Sequence, residues 1–256
     1  MTPGPTWLQT GWATHQGRRP INEDAVLVDG GLLAVADGVG GAPRGDLAAG
    51  EAVSAVRDAV DAPGLEPGAP AAASELTAAL LLADDAVEAL ADRWTELRGA
   101  ATTMCAAIVF MTDDGEPKAV VANIGDSRCY HLRRGHATQI TTDQTLANQL
   151  RQRGRTDVGG RADHIVTSIL GGGPTTETTI HLYRLDLRPG DHLLLCTDGV
   201  SGVLEPDELV RRCEEHEPST AAAKLVRSAW DAGSTDNLTV ALATIDHELG
   251  EETPER

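Results

Sequence analysis

The chain has 256 residues, enough to bury a sizeable core, and its 41% hydrophobic and 23% charged content, with 27 Gly and 13 Pro, is that of a globular protein rather than a coiled coil, a collagen or a disordered chain. Lys and Arg number 21 against 39 Asp and Glu, a formal net charge of −18. A surface that acidic excludes nucleic-acid and anionic-membrane binding as leading functions, because both need clustered positive charge, and it suits a protein that holds divalent cations.

In chain order, the N-terminal MTPGPTWLQT has neither a basic nor an apolar stretch and does not read as a secretory signal. Short runs rich in Val, Ile and Leu predict strands at Ala25–Val28 and Leu32–Ala36. Ala-rich periodic stretches predict helices over Asp46–Val60 and Ser74–Trp94, the second opening on Ser74 as N-cap, with a Pro- and Gly-rich loop over Asp61–Ala73 between them. Further strands are predicted at Met104–Phe110, Ala119–Ile124, Cys129–Leu132, Leu193–Cys196 and Leu238–Ile245, and two shorter helices at Pro206–His216 and Thr220–Ala232. Strands and helices do not alternate one for one, which points away from a doubly wound parallel sheet and toward an α+β domain with helix-covered antiparallel sheets. One domain over residues 1–246 and a charged tail over 247–256 are expected.

No apolar run approaches the roughly 18 residues of a membrane helix. The four cysteines, Cys105, Cys129, Cys196 and Cys213, lack CxxC spacing; Cys105 and Cys196 sit inside apolar runs and read as small buried hydrophobes in a reducing compartment, so a cytoplasmic location is expected.

The chemistry lies in where the carboxylates fall. Glu23-Asp24 precedes the first strand, Asp37-Gly38 follows the second, Gly125-Asp126 follows Ala119–Ile124, Asp198-Gly199 follows Leu193–Cys196, and Asp236 precedes Leu238–Ile245. A lone Asp-Gly is more often a turn than a ligand. Five acidic sites at strand ends are harder to assign to turn chemistry, particularly as Asp126 and Asp236 are not in Asp-Gly pairs. Converging carboxylates repel unless a cation neutralises them, and oxygen-only ligation selects Mg²⁺ or Mn²⁺ over zinc. Arg19 beside such a centre is placed to grip a phosphate, although alone it reads as a solvated arginine. Two ions sharing a water are an apparatus for phosphoester hydrolysis.

The motifs Arg19-x-x-Asn22-Glu23-Asp24, Ala36-Asp37-Gly38-Val39-Gly40-Gly41, Ala101-Thr102-Thr103, Gly125-Asp126-Ser127-Arg128, Cys196-Thr197-Asp198-Gly199-Val200 and Asp236-Asn237-Leu238-Thr239-Val240 come in an order that resembles the protein phosphatase 2C family in its bacterial form. The resemblance runs from about Gly11 to Ile245. It implies a four-layer α-β-β-α sandwich with metals at one edge, and a phosphatase acting on phosphoserine and phosphothreonine with two, in some members three, Mn²⁺ or Mg²⁺ ions. Carried over by position, Asp37 bridges the ions, the Gly38 carbonyl binds the first, and Asp198 and Asp236 hold the second. Glu23 and Asp24 ligate directly or through water, Asp126 with Asp198 forms a third site, and Arg19 binds the phosphate. Phosphorylated proteins as substrates, a cognate Ser/Thr kinase and a monomeric state are expected with it.

The chain departs from the family pattern in three places. Val39 stands where eukaryotic members carry a proposed general-acid His, leaving the proton donor open among eight histidines and water. In the flap, about residues 144–179, the usual Thr-Arg pair reads Thr167-Ser168 and is followed by Gly171-Gly172-Gly173. After Asp198-Gly199 come Val200-Ser201, without a further acidic residue found in some members. The flap also carries Arg151, Arg153, Arg155 and Arg161 against Asp157 and Asp163, either a steering patch for acidic substrate or a solvated helix face. The four tryptophans read as packing rather than a ligand box. His15, close to Arg19, reads as a satisfied surface histidine. The rival readings are a non-catalytic metal-bound sensor of the same fold and a phosphoserine phosphatase of a sigma-factor partner-switching cascade. A calcium protein would call for a D-x-D-x-D-G loop, which the sequence does not contain.

Overall fold

A computed structural model of the chain describes residues 6–42, 44–60, 69–173 and 179–246. Ten strands, β1 (Leu8–His15), β2 (Asp24–Asp29), β3 (Leu32–Asp37), β4 (Met104–Met111), β5 (Pro117–Ile124), β6 (Arg128–Arg133), β7 (His136–Gln139), β8 (His181–Asp186), β9 (His192–Cys196) and β10 (Leu238–Ile245), form two five-stranded sheets in the orders β1-β10-β9-β6-β7 and β2-β3-β4-β5-β8. Every pairing is antiparallel. Among the described residues there are six α-helices, α1 (Gly45–Val60), α2 (Ala69–Arg93), α3 (Leu146–Gln152), α4 (Asp198–Ser201), α5 (Pro206–Glu214) and α6 (Pro218–Asp231), and two short 3₁₀ helices, Thr95–Leu97 and Gly160–His164.

The strand sequences explain the four layers. A strand buried on both faces reads as a continuous apolar run rather than an alternating one. In β3, Leu33 and Val35 enter a cluster with Cys105, Val121, Leu193, Leu195 and Ala241 between the sheets, while Leu32, Ala34 and Ala36 pack against Ala48, Ala52, Leu76 and Leu80 of α1 and α2. On the other sheet, Leu194, Cys196, Val240 and Leu242 meet Leu209, Ala222 and Leu225 of α5 and α6. Ala48, Ala49, Ala52, Val53 and Val56 on α1 recur at helical spacing and are buried, which is the face the sheet covers. The expected α-β-β-α sandwich is present.

Several local expectations need correction. α2 begins at Ala69, so Ser74 is not an N-cap; its hydroxyl instead donates to the Ala71 carbonyl inside the helix at 2.9 Å. The loop expected over 61–73 therefore lies largely in residues 61–68, outside the described residues, as does the tail 247–256. Strands β1, β7 and β8 and helix α3 were not anticipated, because β1 and β8 interleave polar residues with apolar ones and β7 is mostly exposed. All four cysteines are free and buried. Trp7 and Trp230 pack against the cores, whereas Trp12 and Trp94 are about half exposed. Among the described residues no helix is long and apolar enough to cross a membrane.

Candidate metal centre

The site lies where the inner face of the sandwich runs out of apolar residues. β1 and β2 belong to different sheets, as do β5 and β6, so the connections carrying Arg19 and Glu23 and carrying Asp126 both cross between sheets at this end. Register places Asp24 of β2 directly opposite Asp37 of β3, which sets two carboxyl groups side by side. Asp198 follows β9 as the first residue of α4, and Asp236 stands two residues before β10. Neither Asp37-Gly38 nor Asp198-Gly199 is a hairpin turn: the first leads toward α1 and the second opens α4.

Backbone and hydroxyl contacts fix these carboxylates. The Asp37 amide donates to Thr103 Oγ1 at 3.2 Å, and the Asp37 carbonyl accepts from the Thr103 amide at 2.8 Å and from Thr102 Oγ1 at 2.9 Å. Thr197 Oγ1 donates to Asp24 Oδ2 at 2.9 Å. Gly38 lies against the start of α1, where a Cβ would meet the Gly45 backbone at 2.5 Å, so a larger residue there would push the helix off the site.

Arg19, Glu23, Asp37, Gly38, Asp126, Asp198 and Asp236 all line one cleft of about 460 Å³, together with Val39, Gly40, Thr103, His164, Ile165, Val166, Ile169 and Asn237. Asp24 is not in that lining and sits behind it. The structure thus separates the two residues that sequence left equivalent: Glu23 faces the cleft and Asp24 backs it. Arg19 does not stand as a free fork, because its Nη2 donates to Asp236 Oδ2 at 2.6 Å. Burial works against the Arg19 charge, but Asp236, Asp37 and Asp198 outweigh it and raise its pKa.

The electrostatics are those of a site short of positive charge. Desolvation, then the neighbouring carboxylates Asp198 and Asp143, pushes Asp126 up to about 7. Desolvation also lifts Asp24 to about 7, against hydrogen bonds from Thr239 and Thr197 that oppose the rise. Asp37 is pushed well above the carboxylate range by desolvation and by Asp24, Asp198, Asp126 and Asp236. Asp198 is raised by desolvation and by Asp236, against smaller opposing influences of Asp37, His164 and Arg19. Asp24 Oδ1 and Asp198 Oδ1 are shut off from solvent without a hydrogen-bond partner. Such oxygens are costly unless something compensates them.

The residues fit a hard divalent cation: the donors are all oxygen, two of those oxygens are buried and unpartnered, and among the described residues Arg19 is the one cation in a salt bridge with Asp236. Among the described residues no three His, Cys, Asp or Glu side chains form a ready-made cage for one ion.

A family model of protein phosphatase 2C matches residues 13–245. The chain belongs to the protein phosphatase 2C family. The serine/threonine protein phosphatase PstP of Mycobacterium tuberculosis is 33% identical over 238 residues, 92% of this chain but 45% of the relative, so the chain spans about half the length of that relative. A structure of the PstP catalytic domain in complex with two manganese ions superposes with a TM-score of 0.80 at 31% identity, covering 93% of this chain and 98% of the other. Serine/threonine phosphatase Stp1 from Staphylococcus aureus superposes with a TM-score of 0.85 at 26% identity, covering 96% and 98%.

Sequence reasoning named Asn237 only as part of a motif and missed its role in this protein phosphatase 2C chain. Its Nδ2 donates to the Gln16 carbonyl at 2.7 Å and the Ile21 carbonyl at 2.9 Å, and its Oδ1 accepts from the Glu23 amide at 2.9 Å. One side chain therefore ties the Arg19–Glu23 crossover to the start of β10. His164 lines the cleft from the flap. His15 is outside it, accepting from the Gly17 amide at 2.9 Å and packing edge-on to Trp230. In the flap, Arg151 pairs with Asp163 at 2.7 Å and Arg155 with Asp157 at 3.1 Å, so half of the basic island is neutralised within the flap itself.

Proposed function

We propose that this chain is a metal-dependent protein phosphatase that hydrolyses phosphoserine and phosphothreonine. The observation that carries the reading is the convergence on one cleft of Asp37, Asp126, Asp198 and Asp236 with Arg19, together with buried, unpartnered oxygens on Asp24 and Asp198. Asp37, the Gly38 carbonyl, Glu23, Asp24, Asp198 and Asp236 would hold two Mn²⁺ or Mg²⁺ ions, and Asp126 with Asp198 a third. When bound, such ions neutralise phosphate charge and acidify the attacking water.

The chain's own residues do the rest. Arg19, anchored by Asp236 through one nitrogen, offers its remaining N–H groups to the phosphate oxygens. Thr102 and Thr103 fix the Asp37 backbone, Thr197 turns Asp24, and Asn237 sets the height of Glu23. His164, on the cleft wall, is the side chain suited to give a proton to the departing serine oxygen. The proposal extends to phosphoprotein substrates, a Ser/Thr kinase as the opposing enzyme, a cytoplasmic location and a monomer of one catalytic domain with a flap over about 144–179.

The test is hydrolysis of p-nitrophenyl phosphate and a phosphothreonine peptide in EDTA, Mg²⁺ or Mn²⁺. Turnover in Mn²⁺ that disappears in EDTA and in Asp37→Ala supports the reading. Folded protein without turnover in any metal refutes it and favours the sensor alternative.

A further inference from the structure

The cleft has two chemically different walls. Beside the carboxylates the cleft is lined by Val39, Ile165, Val166 and Ile169, three of them from the flap. Ile165 is 48% exposed, an isoleucine held in solvent at the rim of the site. A single exposed apolar side chain is ordinary; one that lines a reaction cleft together with three other apolar residues is a candidate contact surface.

The flap is built to hold that surface still. The Leu146 amide donates to the Ile165 carbonyl at 2.8 Å, and Thr167 donates to the Gln144 carbonyl through its amide at 2.7 Å and its hydroxyl at 2.9 Å. Leu170 and Thr102 exchange both backbone hydrogen bonds, at 2.8 and 3.1 Å, and the Thr102 hydroxyl also holds the Asp37 carbonyl. The arch from Ile165 to Ile169 is therefore fastened at both ends, and one fastening reaches a metal-ligand candidate. The glycine run that departs from the family pattern serves the same surface. A Cβ on Gly172 would stand 2.5 Å from Ile169 Cδ1 and Cγ1, so Gly172 is what allows Ile169 to lie where it does. Two of the flap's four arginines, Arg151 and Arg155, are engaged with Asp163 and Asp157.

Resting on the phosphatase reading, the geometry points to a specificity surface: Ile165, Val166 and Ile169 receive an apolar side chain adjacent to the phosphorylated residue, so the favoured substrates are phosphopeptides with an aliphatic neighbour rather than an acidic or small polar one. An acidic neighbour would be disfavoured by the apolar wall, which offers its charge no partner. Burying one aliphatic side chain against such a surface discriminates by about tenfold or more.

The experiment compares phosphoserine peptides identical except for flanking Leu, Ser or Glu. It measures kcat/KM for each in Mn²⁺, and the affinity of the matching non-hydrolysable phosphonate peptides by fluorescence anisotropy. Wild type is expected to favour Leu over Ser about tenfold and over Glu by more, in both readouts. Ile165→Ser and Ile169→Ala are expected to bring the Leu-to-Ser ratio toward one, while Ile165→Leu keeps it. Because the ratio is taken within each variant, a general loss of metal or of folded protein cancels. Equal use of Leu and Ser peptides by wild type, or an unchanged ratio in Ile165→Ser, overturns the specificity surface and leaves the phosphatase reading standing. No hydrolysis of any peptide by folded wild type overturns both.

Discussion

Strand β9 has an aspartate beyond each end, and the two are held in opposite states. Asp191, just before the strand, is 2% exposed and saturated: Oδ1 accepts from Arg133 Nε at 2.8 Å, and Oδ2 accepts from Arg133 Nη2 at 2.5 Å, the Arg188 amide at 2.8 Å and His131 Nε2 at 3.0 Å. Burial opposes its charge, but these partners win and its pKa is lowered. Asp198, beyond the other end, has a solvent-excluded oxygen with no partner and a raised pKa. Burial of an acidic residue is thus no sign of function on this sheet; burial without compensation is. At the Asp191 end the protein supplies the counter-charge itself, and at the Asp198 end one buried oxygen is left without a hydrogen-bond partner, as the proposed metal site requires.

Substitution separates the two ends most sharply. Asp198→Ala or Asp37→Ala is expected to lower kcat/KM on a phosphopeptide in Mn²⁺ at least roughly 10³-fold without unfolding the protein, since removing a repelling carboxylate relieves the site. Asp191→Ala is expected to do the reverse, leaving Arg133 and His131 without their buried partner and costing about 3–5 kcal/mol in a urea titration while the folded fraction keeps its turnover. Loss of turnover per folded molecule in Asp191→Ala would mean that the two ends are coupled.

The pH response should differ in sign. For Asp24 and Asp126 the folded pKa, about 7, lies above the unfolded value, so the folded state binds more protons between them. In EDTA their contribution to stability is present below about pH 4 and lost as pH rises toward 7; Mn²⁺ should abolish this loss. Asp191, with its lowered pKa, contributes stability above the unfolded value and loses it as pH falls through the folded one. Urea midpoints from pH 3 to 8 in EDTA check both, and Asp126→Asn should flatten the neutral limb.

Smaller effects refine the site end. His164→Gln is expected to slow a phosphoserine peptide about 10²-fold but p-nitrophenyl phosphate much less, because a good leaving group needs little protonation. Asn237→Ala should cost about 2 kcal/mol, measured by thermal unfolding, since it strands the Gln16 and Ile21 carbonyls and the Glu23 amide. Arg19→Ala should chiefly raise KM, about tenfold, with a smaller fall in kcat.

Much of this molecule was legible before any coordinates. An apolar run ending in Asp reads locally, because strand burial on both faces leaves no alternation to misinterpret, and Asp37, Asp126 and Asp198 each follow such a run. Strands β1 and β8, half polar, and the exposed β7 gave no comparable signal. Ser74 had the residue type of an N-cap, but the helix had already begun five residues earlier, and nothing local to Ser74 distinguishes the two.

What the sequence determined by itself was at which strand ends the acidic residues stand, since that follows from short-range pattern. Only the tertiary structure decided how they meet: that Glu23 faces the cleft and Asp24 backs it, that Arg19 is anchored on Asp236, and that isoleucines of the flap line the same cleft. The hydrogen bond from the Glu23 amide to Asn237 spans 214 positions. Contacts over that distance depend on how two sheets stack and cross, and no window of neighbouring residues contains that information.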